Sequence, residues 1–314
     1  MAQVWAVSQF GGLSASASLD LELRQRATAT TFFHQLTTSV SSFGKHRSDR
    51  VLLDKLGRLV TPMNQSGIGE TDDIPSTVFP FVQASVIVTE YANAVEWTEK
   101  LETLAQWSAG QMVGMVLRQD QIEGLDKVAY AAYALGKVIY TPITASTGTI
   151  STSGTPGAVA GSTMTVSHAR DVSDYLRANK VPAQTNGDYF CICGTDHARG
   201  IKDSTEFVEV SKYATPEKLF DSEIGKYASI RYVEENNIFT GPSGTNTVGF
   251  QGGVYFGSDN VVEAVAIAPH LRYKVPQGYG RDRGEAHYAM LGMVQVWNFA
   301  TDSGEEHQVQ AASL

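Results

Sequence analysis

Apolar positions along the chain change their spacing several times, and each change marks a different kind of element. Residues 1–50 carry Ser, Thr, Ala and Gln with scattered aromatics such as Phe32 and Phe33, and show little periodicity. They read as an extended amino-terminal arm with one short helix near residues 20–36, ordered by lying across something else. From Val51 the pattern becomes β-like. VLLDKLGRLV and STVFPFVQASVIVTEY are rich in Val, Ile, Thr and aromatics, and the polar TPMNQSGIGETDDIP between them makes residues 51–90 a hairpin. Its connection exceeds the ~2–5 residues usual in hairpins, and loops of that length are functional or ordered by a neighbour.

The period then lengthens. Leu101, Leu104 and Trp107, then Met112, Met115 and Val116, then Leu125, Val128, Ala129, Ala132 and Leu135 keep i, i+3, i+4 spacing. That predicts about 40 helical residues from Glu96 onward, with bends near Gly110, Gly114 and Gly124 where helix propensity is lowest. No Asp, Glu, Lys or Arg occurs between Lys137 and Arg170, so the Ser/Thr/Gly-rich stretch there reads as a surface loop or crossover. SHARDVSDYLRANKVP follows as a helix of about three turns, with Ser167 as cap, Val172, Tyr175 and Leu176 on one face, and Pro182 past its end. DYFCICG is a buried-type strand, and TPEKLFDSEIG a helical turn with Thr215 as cap and Pro216 in its first position.

KYASIRYV then reads as one strand, with Ala228, Ile230 and Tyr232 on one face and Tyr227, Ser229, Arg231 and Val233 on the other. The charges of Glu223, Lys226, Arg231, Glu234 and Glu235 would then lie on its wetter face and in the following EENN turn. GGVYFGSDNVVEAVAIAPHLRYKVP and HYAMLGMVQVWNF alternate like sheet strands and return to the part that holds the long helix.

Composition narrows the function. Of 314 residues only 18% are charged, below the roughly one quarter usual in soluble domains, and a more neutral surface favours self-association. The formal charge of -9 and a pI near 5.3 exclude a body that grips nucleic acid by neutralising phosphates. Residues 1–60 run the other way, with Arg24, Arg26, Lys45, Arg47, Arg50, Lys55 and Arg58 against Asp20, Glu22, Asp49 and Asp54, as a solvated, mobile arm would. No stretch approaches the ~18 consecutive apolar residues of a membrane span, and MAQVWAVSQFGGLSASASLD lacks the pattern of a secretory signal, so the expectation is a soluble chain made in cytoplasm, with no membrane partner. Cys191 and Cys193, two apart on a strand, splay too far for a bridge and read as free thiols.

Half-motifs for chemistry fail on spacing. GIGETD offers Gly67 and Gly69 of a dinucleotide fingerprint but has Asp72 in the third position, and Gly278, Gly280 and Gly284 of GYGRDRG miss the spacing by one. GPSGT around Ser243 is not a nucleophile elbow. The seven histidines (His34, His46, His168, His197, His270, His287, His307) make no metalloprotease pair, and Cys191, Cys193 and His197 offer three metal ligands without a fourth. Asp72-Asp73, Glu234-Glu235 and Glu305-Glu306 are neighbours that point to opposite faces of an extended chain and read as solvated turns. No catalytic, cofactor-binding or metal residue is therefore assigned, and no cofactor is expected.

LFDSEIGKYASIRYVEE, with a short helix before it and a loop after, resembles a segment of the major capsid proteins of tailed bacteriophages, whose shells use the Hong Kong 97 fold. The order of the remainder agrees with that family: an arm, a long hairpin (the family's E-loop), VIVTEYANAVEWTEKLETL running into a spine helix, an α/β module, and a closing return with DRGEAHYAMLGMVQVWNF. The resemblance spans roughly residues 50–312, with local likeness mainly at 85–135, 215–236 and 284–300. Some relatives have His-Pro where this chain has Gly194-Thr195, and residues 141–164 and 241–253 look like local insertions.

The resemblance implies an α+β chain divided into an arm (1–50), the E-loop hairpin (51–90), a peripheral domain with spine helix and loop (91–164), an axial domain (165–255) and a return to the peripheral domain (256–314). It further implies a self-assembling subunit, in pentamers and hexamers, of an icosahedral virion shell built in host cytoplasm around double-stranded DNA, which it would touch only weakly and non-specifically. Scaffolding, portal and decoration proteins are the candidates for other partners. Two alternatives stand beside this: the shell of an encapsulin-type cellular nanocompartment, and a soluble hydrolase using Glu223, Asp221 or His197.

Overall fold

The computed structural model describes residues 29–40, 48–59, 67–71, 73–74, 76, 78–105, 108–152, 163–184, 186–206, 223–237, 241–242, 249–250, 252–297 and 305–311. In the described part of the arm a 3₁₀ turn at His34–Leu36 precedes β1 (Thr38–Val40), and residues 20–28 of the helix expected at 20–36 lie outside the described residues. β2 (Arg50–Leu56) and β3 (Phe81–Ile87) pair antiparallel from Arg50 opposite Ile87 to Leu56 opposite Phe81, the hairpin that the alternating pattern predicts. Lys55 fastens its inner face: the side chain is buried, its Nζ donates to the Val296 carbonyl at 2.7 Å, and it lies over the Trp297 ring.

β4 (Thr89–Thr98) follows one residue later, then α1 (Glu99–Leu104) and α2 (Ala109–Tyr133). The helix expected from Glu96 is thus shorter and divided. Strand pairing continues to Thr98, opposite Asp282, because residues 95–98 (VEWT) gain a ladder partner there; the Thr98 hydroxyl then caps α1. Ala105 is extended and ends α1, whereas Gly110, Gly114 and Gly124 all lie inside α2, so the interruption falls before the glycines and not at them. β5 (Ile139–Pro142), β6 (Gly148–Ser151), α3 (Val166–Ala178), β7 (Tyr189–Cys193), α4 (Thr195–Lys202), β8 (Glu223–Tyr227) and β9 (Ile230–Glu234) come next. The chain closes with β10 (Gly241–Pro242), β11 (Gly249–Phe250), β12 (Gly253–Phe256), β13 (Val261–Tyr273), β14 (Asp282–Gln295) and β15 (Gln308–Ala311). The cap of α3 is Thr165, in a reciprocal box with the His168 ring, two residues before the sequence expectation of Ser167. The helical turn expected at 215–220 lies outside the described residues.

Two larger sheets organise these strands. One has the order β1-β13-β14-β4, and α2 lies on it through Leu125 and Val128 against Tyr91, Ala289 and Leu291. The other has the order β6-β5-β15-β12-β7-β9-β8. Residues 139–151 and 308–311 therefore belong with β7, not with the long-helix sheet in which the sequence division at 164 and 256 had put them. The physical reason is the two-sided burial of β7. Its Tyr189, Cys191 and Cys193 pack toward α3 and α4, while Phe190 and Ile192 pack toward Ala129, Ala132 and Tyr133 of α2. A strand covered on both faces is central, so the sheet must extend on either side of it. Phe32 and Phe33 of the arm sit in that second cluster, so this part of the arm is core and not solvated. Among the described residues no helix is long and apolar enough to cross a membrane.

Gly292 of β14 sits directly beneath the base of the hairpin, where an added Cβ would run into the Ile87 carbonyl and crowd Val86. Gly292→Ala is expected to cost about 1–3 kcal/mol, the usual range for overpacking, read as a lower midpoint in chemical denaturation; an unchanged midpoint would contradict this packing.

A charged interior and an apolar outer surface

The charges of residues 223–235 do not lie on a wet strand face. Ala228 and Ser229 both take positive φ (49° and 60°), so the chain reverses there in a two-residue turn and the expected single strand is the hairpin β8–β9. The reversal brings Arg231 between two acids: Nε lies 3.0 Å from Asp188 Oδ2 and NH1 3.2 Å from Glu223 Oε1. All three side chains are buried, and the half-exposed Lys226 closes the group with Nζ 2.6 Å from Asp188 Oδ1. Two carboxylates face two cations, so the group is neutral as a whole and ties together β8, β9 and the segment entering β7.

The other acidic pairs also divide between surface and interior. Glu234 pairs with Lys202 at 2.6 Å near the surface, while its neighbour Glu235 is buried. Glu305 accepts from the Arg58 backbone N–H, and buried Glu306 accepts from the Lys137 N–H at 2.6 Å and from Gln295. Adjacent acids thus do point opposite ways, but the inward one is a structural acceptor for backbone groups and not a solvated turn residue. Asp73 is exposed, and Asp72 and Asp221 lie outside the described residues.

His197 is fully buried and shares a 2.8 Å hydrogen bond between its Nε2 and the Tyr255 hydroxyl. Burial pushes its pKa down to about 3, so the ring is neutral. Cys191 and Cys193 are unbridged and buried in the same cluster, and burial raises the Cys191 thiol. Among the described residues no group of three or more His, Cys, Asp or Glu side chains is arranged to hold a metal ion. Gly67 lies in an exposed loop and Gly278 and Gly280 in the β13–β14 turn, all at positive φ, which is what these glycines supply; Ser243 lies outside the described residues.

The most distinctive surface is apolar. The hairpin face opposite Lys55 carries Leu52, Leu56, Phe81 and Ile87, each more than half exposed; Leu56 and Phe81 are directly paired at 66% and 54% exposure. The described part of the connection adds Ile74, Val78 and Phe79. Tyr273, Val275 and Tyr279 project from the far end of β13–β14. Scattered exposed apolar residues are ordinary, but a hairpin face with four large ones, continued by three more in its loop, marks an interaction surface. Its signal in the sequence is VLLDKL and FVQASVI: apolar residues fall on both parities, so each strand has two faces that need cover.

No family model and no curated protein matches the sequence. Solved structures do. A chain of the acid-stable capsid of Helicobacter pylori bacteriophage KHP30 superposes with a TM-score of 0.71 at 12% identity, over 96% of each chain. A chain of the cyanophage Pam1 capsid gives 0.69 at 14% identity, over 98% of each. One from the capsid of Ralstonia phage GP4 gives 0.67 at 13% identity, covering 99% of this chain and 98% of that one. The chain shares its fold with these phage capsid chains, as the order of its motifs implies.

The buried ions and the exposed apolar face differ sharply in what they do for the isolated chain. Arg231→Ala removes the buried cation that Asp188 and Glu223 share, leaving the half-exposed Lys226 on Asp188, and is expected to cost about 3–5 kcal/mol. Leu56→Ser with Phe81→Ser alters two side chains that are more than half exposed and is expected to change stability by no more than about 0.5 kcal/mol per site. Urea denaturation of both variants checks this, and equal losses would contradict the assignment of interior and surface.

Proposed function

We propose that the chain is a major capsid protein, the self-assembling structural subunit of an icosahedral phage head that encloses double-stranded DNA. The observation that carries this reading is the outer face of the 51–90 hairpin, left uncovered in a subunit whose fold is that of phage capsid chains. A second copy supplies the missing cover: the hairpin lies over its neighbour, burying Leu52, Leu56, Phe81 and the apolar residues of the loop. Repeated around pentamers and hexamers, the same contact closes a shell.

In this reading the sheet with α2 is the peripheral part, the seven-stranded sheet is the axial part around which capsomers gather, and the arm runs beneath adjacent subunits. No active site is needed, and the buried carboxylates are structural. The net charge of -9 suits a container, since like charge leaves packaged DNA free to move and to leave. The subunit resides in the virion after assembly in host cytoplasm, with scaffolding, portal and decoration proteins as the further partners.

Negative-stain electron microscopy with sedimentation velocity, applied to the chain expressed alone and to a variant lacking residues 62–76, tests this. The full chain is expected to give closed shells or sheets of rings. The deletion is expected to give a folded subunit with an unchanged circular dichroism spectrum and no shells. Normal shells from the deletion would remove the hairpin from the account, and a uniform small oligomer from the full chain would contradict self-assembly.

A further inference from the structure

Where the arm crosses the molecule it is held by acids. The Phe32 N–H donates to Glu235 Oε2 at 3.2 Å, the His34 N–H donates to Asp126 Oδ1 at 3.1 Å, and the Thr30 N–H donates to Asn236 Oδ1 at 2.9 Å. Asp126 is wholly buried on α2, and Glu235 is buried at the end of β9. Phe33 closes over them, its ring 5.2 Å from both Tyr130 and Tyr133. The two carboxyls accept from arm N–H groups only two residues apart and so face the same short segment, and among the described residues the buried Glu235 Oε1 makes no hydrogen bond of its own. Two neighbouring buried carboxylates with only neutral donors around them repel, whereas one proton between them makes a hydrogen bond and removes a buried charge.

We propose that residues 30–36 are an acid-tightened latch: one proton shared by Asp126 and Glu235, together with a protonated His34 on Glu263, fastens the arm across the junction of α2 and the seven-stranded sheet. The arm supplies both the N–H donors and the aromatic cover. When it leaves, water reaches the carboxyls and the proton is released.

The direction of the pH dependence follows. Burial first, then the bond to Asp126, raises Glu235 from 4.5 to about 10 with the arm in place. Docking therefore takes up a proton at every pH between those values and weakens as pH rises through that window. His34 acts in the same sense. Its Nε2 lies 3.0 Å from Glu263 Oε1, and that bond raises it above 6.5, so its contribution is complete below 6.5 and is lost as pH passes its raised value. The other titratable groups facing the pair, Tyr130 and Tyr133 of α2, are raised by burial and stay neutral throughout. Asn237 completes the cluster with its amide on Asp126 Oδ2 at 3.3 Å.

Hydrogen exchange by mass spectrometry on the full chain, from pH 5.5 to 8.5 and corrected for intrinsic exchange, tests the latch on the peptide containing Phe32 and His34. Protection there is expected to fall with rising pH, by up to about tenfold per unit for one proton, while the β7 peptide does not change. Glu235→Gln keeps an oxygen for Phe32 and supplies its own N–H to Asp126. It is expected to hold protection above wild type at pH 8.5 and to leave only the His34 slope; adding His34→Gln flattens the profile. Asp126→Asn removes the same shared proton but loses the oxygen that accepts from Asn237, so it is expected to leave only the His34 slope with lower protection than Glu235→Gln. A flat wild-type profile, or amide variants whose profiles follow wild type, would overturn the proposal.

Discussion

A strand whose side chains are apolar on both faces needs two covers, and in this protein the supply of covers decides the architecture. β7 receives both from its own chain, α3 and α4 on one side and α2 with the arm's Phe32 and Phe33 on the other. Because it is saturated, it becomes an interior strand of the seven-stranded sheet, and the chain's last strand is drawn in to extend that sheet. Among the described residues the β2–β3 hairpin receives one cover, with Lys55 and Val86 buried beneath it and Leu56 and Phe81 facing out. Four large apolar side chains left in water are a standing drive toward association, roughly 25 cal/mol for each Å² that a neighbour removes from solvent. The self-assembly proposed for this chain is the same burial rule as the core, completed between chains.

The charged interior serves that design by holding elements that carry no direct share of the outer contact. Arg231 binds Asp188 and Glu223 at the edge of the sheet, and Glu306 and Glu235 use the inward half of an adjacent acidic pair to accept backbone N–H groups. Buried ions of this kind contribute little net stability compared with an apolar alternative but are costly to break, so they fix geometry more than they add energy. In the proposed shell, a subunit that fits copies of itself at several edges gains from fixed geometry. The arm is the exception, since its proposed anchor relies on protons taken up as it docks and not on a lysine or arginine.

Much of this was legible in the sequence where one periodicity ruled. The hairpin, the buried DYFCIC strand, α3 and the long β13–β14 return could all be read from alternation or from i, i+3, i+4 spacing, and the order of these pieces pointed to the fold. What could not be read depended on partners distant in sequence. VEWT fits a helix start until β14 offers a ladder, and residues 308–311 have no local sign of pairing with β5 and β12. The turn at Ala228-Ser229 lacks the Gly or Asn that announces positive φ, so a hairpin looked like one strand and its charges seemed exposed. The arm looked solvated because Phe32 and Phe33 carry no period of their own, and their cover is α2.

The central claim is that a second copy covers the hairpin face, and the thiol content of the chain allows a direct test. Its only cysteines, Cys191 and Cys193, are fully buried, so Phe81→Cys adds one reactive site on a background that a bulky maleimide does not reach. The labelling rate of that site is to be measured in the unassembled chain and in purified particles. The account predicts fast labelling before assembly and at least tenfold slower labelling afterwards; equal rates in both would mean that no copy covers this face.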